Sequence, residues 1–148
     1  MARYSSDLNT WVVRDSTSAR LDGDCGIITL AVLCGAATGS RGVYEKAADL
    51  LTRHGIYDGT GTKVLKLKSL MQKMFGGGTR FTRQCIGMTL DAYLAARPGW
   101  SGVAICKHGD ICHGIPVVHG VAYNTNNGEW MGYDLIATLR IKIGRAHV

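Results

Sequence analysis

The reactive side chains of this 148-residue chain are five cysteines and five histidines, and one of each sits where chemistry is favoured. Cys25 lies in Asp24-Cys25-Gly26, between a polar loop rich in Ser, Asp and Gly (residues 16–24) and an apolar run that carries no charge until Arg41. That run predicts a helix buried on nearly all sides, with Cys25 in its first turn. Unpaired N–H groups and the positive end of the helix dipole favour a thiolate over a thiol there. A nucleophilic thiolate needs a base, and the base needs an orienting group. His54 ends a helix, His108 and His119 fall at hairpin turns, and His147 lies in the last few residues, which leaves His113, inside a strand. With His119-Gly120 as a two-residue turn, Val118 faces Val121, Val117 faces Ala122 and Ile115 faces Asn124. His113 shares the face of Ile115, so Asn124 lies diagonal to it within hydrogen-bond reach. The expected chemistry is attack by Cys25 on an acyl or amide carbon, with His113 moving the proton and Asn124 fixing the imidazole tautomer. It calls for no cofactor.

Other arrangements of the same residue types are less productive. Cys106-Lys107-His108-Gly109-Asp110-Ile111-Cys112-His113 packs zinc-ligating types into one hairpin, but Cys112 and His113 point oppositely and a flat hairpin cannot converge all four. Cys34 follows Cys25 on the same helix but faces elsewhere, as a core residue, and Cys85 reads as a strand residue. The glycines around Gly59 and Gly76 carry no phosphate-loop or dinucleotide spacing.

Those side chains must be positioned by a modest single domain. Hydrophobic residues at 46% and charged residues at 19% suit a globular core, and no apolar run approaches a membrane span. The N-terminus lacks an apolar signal region. The odd, scattered cysteines argue for reduced thiols in a cytoplasm-like compartment rather than a disulfide scaffold. The net charge of +6 is dispersed; Lys63-Val64-Leu65-Lys66-Leu67-Lys68 reads as the wet face of an amphipathic helix, so neither nucleic acid nor membrane is expected as a partner. Residues 143–148 resemble an in-frame translation of a sequencing adapter and are set aside, leaving one domain over 1–142.

Residues 1–23 read mostly as loop, with Trp11-Val12-Val13 as a short strand or an anchor laid on the core. Helices follow at about Cys25–Ala37, Val43–His54 and, after a Thr62 N-cap, to Phe75 with Val64, Leu67, Leu70, Met71 and Met74 inward. Thr79–Ile86 has strand character, and Thr89 caps a short helix, Leu90–Ala96. The period then changes to strands at Ser101–Lys107, Ile111–Val118 and Val121–Thr125, with one or two more between Trp130 and Ile141. Helices first and an antiparallel sheet second is an α+β arrangement.

Asp24-Cys25-Gly26 opening a helix, His113 on a strand and Tyr123-Asn124-Thr125 on the next resemble the papain-like cysteine peptidase superfamily. More narrowly, Cys112-His113-Gly114-Ile115-Pro116-Val117-Val118-His119-Gly120-Val121-Ala122-Tyr123-Asn124-Thr125 is similar to the second half of small papain-like proteins of phage and bacterial genomes. The resemblance covers about residues 20–135. It implies a papain-like fold, a Cys25-His113-Asn124 triad and a peptide or protein substrate. The sequence departs from the family in having Cys112 where Gly precedes the histidine, and Asn124 where the narrower group has Asp. It also departs in having Ala19, with no glutamine before Gln72, where the family places its oxyanion glutamine. One oxyanion donor would be the Cys25 N–H; the second has no counterpart, and losing such a donor costs about 100- to 1,000-fold in rate. The same departure implies an alternative, a catalytically impaired papain-like module serving as a phage structural or host-interaction protein.

Overall fold

The computed structural model describes residues 3–83 and 87–143. Its helices are α1 (Cys25–Thr38), α2 (Tyr44–Arg53), α3 (Val64–Phe75) and α4 (Leu90–Ala95). Its strands are β1 (Tyr4–Ser5), β2 (Val12–Val13), β3 (Gly42–Val43), β4 (Arg80–Thr82), β5 (Gly102–His108), β6 (Ile111–Val118), β7 (Val121–Tyr123) and β8 (Asp134–Arg140). Six of them form one sheet in the order β1-β7-β6-β5-β8-β4, antiparallel except where β1 runs parallel to β7. The parallel pair β2-β3 stands apart. The fold is α+β, four helices packed against a mostly antiparallel sheet. Cys85 and His147 lie outside the described residues.

The apolar run after Cys25 becomes a helix with no wet stripe, ten of whose residues are buried. It lies between the sheet and α2, and Gly39 ends it at φ 68° in the left-handed region. Backbone approaches it closely: a Cβ on Gly42 would stand 1.9 Å from the Ala31 carbonyl oxygen, so only glycine lets β3 lie against α1.

Strand alternation divides the sheet into two apolar faces. Val103, Ile105, Val118 and Leu139 turn towards α1 and the main core. Ala104, Cys106, Ile115, Val117 and Leu135 turn towards α4, Trp100 and Met131 in a second core. On α3 only Leu67 and Met71 are buried; Val64 and Met74, expected inward, are 40% and 44% exposed, because the helix rests on a narrow stripe. Lys63, not Thr62, occupies the α3 N-cap position and gives no side-chain cap. The chain before α1, expected as loop, contributes β1 to the sheet edge. Trp130 enters no strand but a 3-10 turn over Glu129–Gly132.

Candidate functional site

Cys25 is the first residue of α1, and its neighbour Asp24 is diverted from capping. The Asp24 carboxylate accepts from Arg20 Nε at 2.8 Å, from Arg20 at a second nitrogen at 3.0 Å, and from the Tyr44 hydroxyl at 2.8 Å. Burial alone would raise the Asp24 carboxyl; the Arg20 and Tyr44 hydrogen bonds outweigh it and hold its pKa below the ordinary value. The charge adjoining the thiol is thus matched by a guanidinium instead of standing against a thiolate. The first intrahelical bond is Ile28 N–H to Asp24 C=O at 3.0 Å, so the N–H groups of Cys25, Gly26 and Ile27 have no partner within the helix.

The loop around this turn is held by two buried tyrosines. Tyr44 accepts the Leu21 N–H at 2.9 Å, and the Tyr57 hydroxyl donates to the Asp22 carbonyl. The segment Asp58–Thr62 folds over the turn. Asp58 Oδ1 accepts from Thr60 N–H, Thr60 Oγ1 and Gly61 N–H, all at 2.8–2.9 Å. A Cβ on Gly23, at φ 58°, would lie 1.9 Å from the Thr60 carbonyl oxygen, and one on Gly26 would lie 2.1 Å from Thr62 Oγ1.

His113 arrives from the sheet. The β6–β7 register pairs Val117 with Ala122 and Val118 with Val121, as the His119-Gly120 turn predicts. His119 and Gly120 both take positive φ, 48° and 83°, as a two-residue hairpin turn requires. The strand stops at Tyr123. Asn124 leaves the strand at φ 60°, and its backbone carbonyl oxygen, not its side chain, accepts from His113 Nε2 at 2.7 Å. A carbonyl only accepts, so Nε2 carries the proton and Nδ1 holds the lone pair. His113 and Asn124 are hydrogen-bonded, but through the Asn124 main chain, where the sequence predicts its side chain.

Trp130, which sequence reasoning did not single out, packs on the imidazole at 4.8 Å between centroids. It is delivered by a reversal with Asn126, Asn127 and Gly128 all at positive φ, tied by Gly128 N–H to Thr125 Oγ1 and Asn126 Nδ2 to Glu129. The Asn-Asn-Gly run was a readable turn signal; where the tryptophan lands was not. Burial lowers the His113 pKa and outweighs the Asn124 hydrogen bond and the Asp24 charge, which raise it.

Cys25 and His113 line one cavity of about 270 Å³, floored by Leu67, Val103 and Ile105 and rimmed by Thr60 and Thr62. Thr29, fully buried on α1, reaches the Gly114 carbonyl at 3.5 Å and fixes the helix against the strand that carries His113. Among the described residues no hydrogen bond joins the Cys25 thiol to the ring; Nε2 is the bonded nitrogen. The cysteine–histidine hairpin is dispersed: Cys106 is buried, Cys112 is exposed, and His108 stacks on Tyr133 at 4.1 Å. Among the described residues no group of three or more His, Cys, Asp or Glu is placed to hold a metal ion, and no helix is long and apolar enough to cross a membrane. Comparison with protein-family models, curated proteins and solved structures returns no match.

Proposed function

We propose that this chain is a papain-like, thiol-dependent hydrolase or acyl transferase acting on peptide or amide bonds. The observation that carries the reading is the shared cavity: a cysteine on the open first turn of α1 and a histidine from the sheet line the same space. Cys25 is the nucleophile and His113 takes its proton at Nδ1, the nitrogen left free by the Asn124 carbonyl. The Cys25 N–H is one oxyanion donor, beside the other open donors of the helix start. The apolar floor suits a substrate with an apolar side chain next to the scissile bond. The reading requires thiol and imidazole to come within hydrogen-bond distance when substrate binds.

The test is alkylation of Cys25 followed by peptide mass spectrometry across pH, in wild type and His113→Ala. An activated thiol reacts well below the ordinary cysteine pKa of about 8.5 and loses that advantage in the variant. Equal, slow labelling in both proteins would sink the mechanism.

The second reading, a catalytically impaired module with a structural or host-interaction role, draws on two observations. Among the described residues no hydrogen bond joins thiol to ring, and no glutamine precedes Gln72. It forecasts an unactivated Cys25 whose removal leaves the protein's partner binding intact.

A further inference from the structure

We propose that the concavity between β4, β8 and the end of α4 binds a phosphate-bearing ligand. This cavity, about 470 Å³, shares no residue with the one at Cys25. Its size suits a small organic phosphate. Arg80 and Arg140 are direct cross-strand partners on β4 and β8. Like charges placed opposite each other in a sheet repel, which disfavours this pairing in an empty site. Alternation puts Thr82 and Thr138, also partners, on the same face, and all four residues line the cavity.

Arg97 supplies a third guanidinium from the end of α4. It lies 3.8 Å over the Tyr93 ring and donates to the Tyr93 carbonyl at 3.4 Å. Tyr93 is itself buried, with its hydroxyl 3.4 Å from Thr138 Oγ1 and Trp100 edge-on at 5.5 Å. The third fork is thus backed by a packed aromatic wall.

Arg3, Arg14, Arg20 and Arg53 each meet a carboxylate. Among the described residues none does so for Arg80, Arg97 or Arg140, and the cavity lining contains no acidic side chain. Guanidinium forks match phosphate oxygens in bidentate geometry, and three around one hollow suit a ligand carrying more than one phosphate charge. The source is a free phosphorylated small molecule or the phosphodiester of a single strand, and the arms of the test separate them.

The full chain is titrated calorimetrically with pyrophosphate, ATP and a single-stranded oligothymidylate at about 150 mM salt, where long-range attraction is screened. At least one probe is expected to bind with a submillimolar Kd. ATP or pyrophosphate binding alone identifies the free source, and oligomer binding alone the phosphodiester. Joint replacement Arg80→Gln with Arg140→Gln weakens binding by about tenfold or more. Removing equal charge by Lys66→Gln with Lys73→Gln, on α3 and a separate cavity, leaves it unchanged. Arg97→Lys keeps the charge but loses the fork and weakens binding several-fold; it decides the matter if the double variant does not fold by circular dichroism. Submillimolar binding by none of the probes, equal weakening by both double variants, or unaltered binding in Arg97→Lys would overturn the proposal.

Discussion

His113 is oriented by the backbone of Asn124: its Nε2 donates to that residue's carbonyl oxygen at 2.7 Å, and the Asn124 side chain takes no part in the bond. What the position demands is a left-handed conformation, φ 60°, which carries the carbonyl to the Nε2 edge of the ring. Glycine meets that demand without strain and alanine does not. Asn124→Gly is therefore expected to keep the Cys25 alkylation rate within about threefold of wild type. Asn124→Ala loses about 1 kcal/mol of stability in urea unfolding. A fall of orders of magnitude in the glycine variant would return the orienting role to the side chain.

Trp130 sets the environment of the imidazole. Burial is the leading cause of the lowered His113 pKa, so Trp130→Ala lets water reach the ring and raises that pKa towards its ordinary value of about 6.5. An NMR titration of the His113 ring protons reads this directly. The folded pKa lies below the unfolded one. The wild-type stability associated with this group is therefore complete above about pH 6.5 and is lost as pH falls through the folded pKa. The variant shows less of that decline, and an unmoved His113 titration would count against the account.

The Asp24 carboxylate anchors the turn before Cys25. Asp24→Asn leaves Arg20 and Tyr44 facing a neutral amide and is expected to cost about 1–3 kcal/mol at neutral pH. The carboxyl pKa is lowered in the folded state, so its contribution is present above the unfolded value of about 4 and disappears as pH falls through the folded one. Urea unfolding at neutral and acid pH should therefore show the two proteins converging in acid. A constant gap would mean that packing, not charge, explains the loss.

Close approach of the Asp58–Thr62 loop makes Gly23 and Gly61 unequal. Gly23→Ala places a Cβ 1.9 Å from the Thr60 carbonyl oxygen at an already positive φ, whereas Gly61→Ala meets nothing within 4 Å. The first is expected to lower stability by about 2 kcal/mol or more, and the second to stay within about 0.5 kcal/mol of wild type. Chemical denaturation of both variants checks the difference.

Local chemistry made most elements readable. The apolar run after Cys25 required a sheathed helix, Thr89 caps α4 through the Ala92 N–H, and His119-Gly120 fixed the β6–β7 register. The strand argument failed one residue past its reach: Asn124 sits where alternation would continue, but a run of positive-φ asparagines ends the ladder. Contacts made by returning chain had no local signal. Trp130 on His113 and the Arg20–Asp24–Tyr44 cluster depend on where loops land, and Arg80, Arg97 and Arg140 are dispersed in sequence but gathered around one hollow. A net charge of +6 says how much positive charge there is, not where it is concentrated.

The helix that begins at Cys25 has no face of its own to spare for solvent. Beyond the first turn, its amides are expected to exchange only when the main core opens, which would put the shaft of α1 in the slowest-exchanging part of the chain. Cys34, part-buried on the same helix with a thiol pKa raised by burial, lines a separate surface cavity with Leu30, Thr38 and Leu50. Amide exchange followed under increasing denaturant should show the shaft of α1 tracking global unfolding. The first turn at Cys25 is thereby open to a cavity while the shaft of the helix stays packed in the core.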